Sequence, residues 1–139
     1  MVLVRIAAFA AGILLGVGTG TATAAEAADP VTFGVRYFAE GDSRQTYLFA
    51  RQGGGLAGEA WLDSAAHDGR RARALAVCDR RSGDAPVNAV ISVPDGRRIT
   101  YSAPVGGGCF ERVLGYPFFE WKLSVGVHSS GEVPPPPLI

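Results

Sequence analysis

The chain has 139 residues with 19 Gly and 9 Pro, together about 20% against roughly 12% in average usage, a bias toward short strands and turns. Hydrophobic residues at 47% and charged residues at 19% exclude a disordered chain and a multi-span membrane protein, and the length fits one domain. With 13 basic and 13 acidic side chains the net charge is zero, so no global field draws the protein to nucleic acid or to an anionic membrane.

Residues 1–24 read as a secretory signal peptide. Arg5 supplies the charged start, Ile6 to Val17 the apolar stretch, and Ala22-Thr23-Ala24 the small residues of a cleavage site, with Ala25-Glu26-Ala27 as a second. Ile6 to Ala25 carries no charge, so a retained membrane anchor is the alternative, and membrane contact is expected only through this segment if it stays uncleaved. No cysteine lies near the cleavage site, which excludes a lipid-anchored protein. Residues 25–30 form a linker.

Alternation with period two dominates residues 31–127. Val31, Phe33, Val35 and Tyr37 share one face of a first strand, and Glu40 to Ser43 supplies a turn. Thr46 to Ala50 reads as a second strand, closed by Gly53-Gly54-Gly55, and Leu56 to Asp63 around Trp61 as a third. Arg71, Arg73, Leu75 and Val77 alternate with Ala72, Ala74, Ala76 and Cys78, although the alanines leave a helix open there. Val87, Ala89, Ile91 and Val93 form an inward stripe, and Pro94-Asp95-Gly96 turns the chain into Arg97 to Ser102 as a hairpin. Ala103 to Gly108 is a flexible link to a short strand from Cys109 to Leu114.

The final strand buries Trp121, Leu123, Val125 and Val127 on one face. Residues 128–139 are a Pro-rich tail, and from Gly131 onward it is expected to project without pairing, because proline has no N–H to give a ladder. Seven or eight short strands at roughly ten-residue spacing indicate an all-β fold, a small antiparallel sandwich of immunoglobulin-like appearance.

The cysteines, Cys78 and Cys109, are even in number in a chain read as exported, and one disulfide is the expectation. Closing a loop of roughly 30 residues, it stabilises by about 3 to 4 kcal/mol. A metal site would need further ligands, and His67 and His128 stand at no zinc-motif spacing.

Two features are uneven enough to suggest a site. Arg70, Arg71, Arg73, Arg80, Arg81, Arg97 and Arg98 could form a basic stripe, but Asp68, Asp79, Asp84 and Asp95 balance them in the same segments, the pattern of solvated strand ends. The run Tyr116 to Trp121 is rich in rings, and such clusters in small β domains more often pack in the core; alternation places Phe119 and Trp121 there, while Pro117 interrupts pairing and makes Phe118, beside Tyr116, the candidate for exposure. Tyr116, Phe118 and Phe119 are the candidate binding surface. For catalysis there is no nucleophile elbow, zinc-protease motif or phosphate loop. His67-Asp68 beside Ser64, and the carboxylates Glu59, Glu111 and Glu120, supply residue types for a hydrolase without its spacing. No catalytic residue, cofactor or metal ligand is assigned.

The run Leu75-Ala76-Val77-Cys78-Asp79, the polar loop with Gly83-Asp84, the strand from Val87 to Val93, Gly107-Gly108-Cys109 and the strand from Trp121 to Val127 together resemble small secreted actinobacterial proteins that share a Val-Cys-Asp strand end and a Gly-x-Cys. Their loop reads Asp-Gly where this chain has Gly-Asp. The resemblance covers about 50 residues and implies export and a disulfide-stapled β-sandwich, with no activity to carry over. The expected function is a secreted, non-catalytic module that binds an extracellular ligand such as a glycan or cell-wall component. A small hydrolase using carboxylates or His67 is the alternative, and a protease inhibitor presenting Ala103 to Cys109 the second.

Overall fold

The computed structural model describes residues 29–64, 72–81 and 85–138. The segment read as a signal, 1–24, lies outside them, as do His67, Asp68, Arg70, Arg71 and Asp84.

Among the described residues the chain forms strands and no helix. They are β1 Val31–Glu40, β2 Ser43–Gln52, β3 Gly55–Asp63, β4 Arg73–Asp79, β5 Val87–Ser92, β6 Arg98–Ser102, β7 Gly108–Leu114, β8 Glu120–Val125 and β9 His128–Ser129. All pair antiparallel, in two sheets ordered β1-β2-β3-β4-β7 and β6-β5-β8-β9. Stacked, they make a small β-sandwich, which is how half-apolar strands bury one face each. Four consecutive strands lie in one sheet before the chain crosses over, whereas an immunoglobulin domain changes sheet after two.

Period-two alternation builds the core. Leu48 and Ala50 of β2, Ala60 and Leu62 of β3, and Leu75 and Val77 of β4 face Val87, Ala89 and Ile91 of β5 and Trp121, Leu123 and Val125 of β8, all buried. The layers approach closely at Gly58, where a Cβ would stand 2.7 Å from Val87 Cγ1. The Pro94 turn joins β5 to β6 as expected, with Gly96 at φ 91° and its N–H bonded to Val93 O at 3.0 Å.

Four expectations are corrected. Val127 is 94% exposed rather than inward, because β8 ends at Val125 and Gly126 turns the chain at φ 61°. In β1 only Val31 and Phe33 pack on the core; Val35 and Tyr37 are 40% and 61% exposed, since the second sheet packs chiefly against β2, β3 and β4.

The tail does not project. Val133 has the N–H that the prolines lack, and it exchanges two backbone hydrogen bonds of 2.9 Å with Trp121. Beyond it the buried Pro136 accepts a 2.8 Å hydrogen bond from Arg73 Nε, which straps the tail from the second sheet to the first.

Phe118 is the fourth correction. Residues 115–119 form the crossing from β7 to β8, outside any ladder, so strand parity does not govern them. Phe118 turns inward and is 6% exposed, and Phe119, assigned to the core by alternation, is 50% exposed.

Candidate functional site

Pairing register arranges the outward side chains of the first sheet in rows that cross it. One row runs Phe38, Gln45, Asp63, Ala74, Val113; the next Arg36, Tyr47, Trp61, Ala76, Glu111; the third Gly34, Phe49, Glu59, Cys78, Cys109. These are the positions that alternate with the core residues of the same strands.

The first two rows dip over β4, where Ala74 and Ala76 put only methyl groups between larger neighbours. The dip is a trough of about 730 Å³, with Gln45, Trp61 and Asp63 along one side and Glu111 and Val113 along the other. Leu75 and Arg112 also line it, but register sets their side chains on the opposite face of the sheet, Leu75 buried and Arg112 exposed at the edge over the Tyr101 ring at 5.9 Å. The indole of Trp61 stacks on Tyr47 at 5.0 Å, and its opposite face looks across Ala76 into the trough. Tyr47 stacks in turn on Phe49 at 5.3 Å, so the wall is a braced aromatic ladder rather than a free side chain.

Charge fixes the rest of the wall. Glu59 is buried in the third row, where Tyr47 donates to Oε1 at 2.5 Å and Arg80 pairs with Oε2. Burial and the neighbouring Glu59 push the Tyr47 phenol up to about 12. Asp63 accepts from Ser43 Oγ at 2.8 Å. Asp63 and Glu111 are the charged side chains of the trough, and both are acidic. Cys78 and Cys109 form the expected disulfide, joining directly opposed positions of β4 and β7 with Cα atoms 4.0 Å apart. It lies on this face, in the row beside Trp61 and Glu111.

The aromatic surface read from the sequence does not assemble. The Tyr116 hydroxyl meets that of Tyr101 at 2.7 Å and its ring leans on Phe118 at 6.1 Å, both half-buried or buried. Phe119 alone keeps an exposed ring, beside a smaller cleft of about 240 Å³ lined by Ser92, Arg98, Glu120 and Glu132. There Glu120, hydrogen-bonded to Glu132, has its carboxyl raised, while that same bond lowers Glu132.

Among the described residues the arginines make no common stripe. Arg73 is buried with its guanidinium over Phe118, and burial lowers its pKa. Arg80 pairs with Glu59, Arg81 reaches Gln52, Arg97 pairs with Asp95 at 2.6 Å and Arg98 with Glu132 at 3.2 Å. Ser64 is buried and donates to Arg44 O at 3.0 Å, while Asp79 accepts from the Arg81 N–H at 3.0 Å. Glu59, Glu111 and Glu120 are divided between the two sheets.

Sequence reasoning missed the trough. Its one local signal was Ala74 and Ala76 on the outward side of a strand, next to Trp61. No family model, curated protein or solved structure matches the chain. Among the described residues no cluster of His, Cys, Asp or Glu could hold a metal ion, and no helix is long and apolar enough to cross a membrane.

Proposed function

We propose that this chain is an exported, non-catalytic binding module, and that its site is the trough on the outer face of the first sheet, which takes a neutral or amino-bearing sugar of an envelope glycan. The observation that carries the reading is the alanine-floored trough with the braced indole of Trp61 on one wall and Asp63, Gln45 and Glu111 at its edges. A pyranose offers a C–H face to lie on an indole and hydroxyls to donate to carboxylate and amide oxygens, the mix of apolar wall and few polar groups that small-molecule sites share. Two acidic walls oppose an anionic polymer. The disulfide and the absence among the described residues of a membrane-crossing helix are compatible with export.

The test is a binding screen of the purified protein on neutral, amino-bearing and uronic polysaccharides and on isolated cell wall, repeated with Ala76→Leu and Trp61→Ala. Leucine at 76 fills the trough from its floor without touching the core. Affinity should fall about tenfold or more in both variants, the scale of a hot spot. Preference for uronic polymers, or full affinity in Ala76→Leu, would sink the reading.

A further inference from the structure

The strand β1 closes one edge of the first sheet, and among the described residues it has a partner on one side only. The two-residue turn Gly41-Asp42 links it to β2, so the closing pair Glu40 and Ser43 exchanges hydrogen bonds, as do the even-numbered residues along the ladder. The odd-numbered residues Val31, Phe33, Val35, Tyr37 and Ala39 therefore aim N–H and C=O at the open edge.

Native edges are normally blunted by short length, proline, bulges or charge. The other edges follow that rule: β6 has five residues and begins with Arg98, β7 carries Glu111 and Arg112, and β9 has two residues. By contrast β1 has ten residues, no proline and an unbroken register with β2. Its central charge, Arg36, is drawn back over Phe49 of its own sheet at 5.5 Å. Val35, Tyr37 and Phe38 stand exposed along it.

We propose that β1 pairs with β1 of a second copy of this chain, forming a two-fold antiparallel dimer centred on Val35. A row of alternating donors and acceptors is matched in full only by another extended strand, and an isologous pair closes on itself without leaving a new edge. Register follows from the side chains. Centring on Arg36 would set that cation opposite itself, which is unfavourable, and centring on Tyr37 would leave Val31, Thr32 and Phe33 without a partner. Centring on Val35 pairs Val31 through Ala39 throughout. It sets Phe33 opposite the partner's Tyr37 on the inner face and Thr32 opposite the partner's Phe38 on the outer.

The axis is perpendicular to the sheet, so both outer faces stay on the same side of one continuous sheet. If the trough is the binding site proposed above, the dimer presents two of them to one polymer, and avidity rises without a new contact.

Sedimentation velocity of the ligand-free protein tests the dimer independently of any ligand. The wild type should sediment as a dimer at hundreds of micromolar. Val35→Pro should be a folded monomer, since register turns that N–H to the open edge, where it has no partner among the described residues, and edge strands tolerate proline. Val35→Lys, which keeps the strand backbone, should do the same if the proline variant misfolds by circular dichroism. A nitroxide at Thr32→Cys should report a partner at about 20 Å, six strand residues away. A monomeric wild type, a dimer that survives in a folded Val35 variant, or a Thr32 distance incompatible with the Val35 centre would each overturn the proposal.

Discussion

The guanidinium carbon of Arg73 lies 4.9 Å from the centre of the Phe118 ring, and the same guanidinium donates through Nε to the carbonyl of Pro136. One buried cation thus joins β4, the crossing from β7 to β8 and the C-terminal tail. Cations over aromatic faces are strengthened when desolvated. Phe118→Ala removes the ring from a closed site, so the expected cost is about 3 to 5 kcal/mol, as for other core Phe truncations. Urea unfolding followed by Trp fluorescence measures it, and a loss below about 1 kcal/mol would mean that the ring is not core, since exposed positions change stability by about 0.5.

The Cys78–Cys109 bond joins β7 to a sheet whose other four strands are consecutive. Replacing both cysteines by alanine is expected to cost about 2 to 5 kcal/mol, with the denaturant midpoint falling accordingly. An unchanged midpoint would leave the bond without a structural role.

At Gly58 the two sheets are too close for a Cβ, which would come 2.7 Å from one Val87 methyl and 3.0 Å from the other. Gly58→Ala should therefore destabilise by about 1 to 3 kcal/mol through overpacking. Adding Val87→Ala should recover part of that loss although Val87→Ala alone is destabilising. Strict additivity in the four-protein cycle would contradict the contact.

Alkaline pH should weaken the fold. Tyr47 has a folded pKa of about 12 against 10.0 when unperturbed, so folding favours the neutral phenol. Its contribution is fully present below pH 10 and is lost as pH rises through about 12. Tyr116 is raised in the same direction, by burial and by its bond to Tyr101. Tyr47→Phe should flatten the decline of stability across that window, measured by denaturant titrations at successive pH values. An identical decline in the variant would assign the loss elsewhere.

The inward stripes were legible because a strand's side-chain period is two and needs no knowledge of the partner. Leu75 and Val77, Val87 to Ile91, and Trp121 to Val125 are buried as their alternation indicates. Phe118 and Phe119 were misread for the same reason: the rule was extended from β8 into residues 115–119, where no ladder exists to impose it. Composition misled in the tail. Four consecutive prolines suggested an unpaired extension, yet one Val133 N–H and one Val133 C=O suffice to anchor it to Trp121.

By itself the sequence determined an all-β sandwich, the core stripes of β4, β5 and β8, the Pro94 hairpin and the pairing of the two cysteines, since each follows from local periodicity, turn chemistry or a count of two. Only the tertiary structure decided that β7 lies beside β4, setting Glu111 and Val113 across Ala74 and Ala76 from Trp61 and Asp63. That neighbourhood joins strands separated by a hairpin in the other sheet. Alternation says which face a residue takes, whereas a trough depends on which strands stand side by side, and that is set by how two whole sheets bury their faces together.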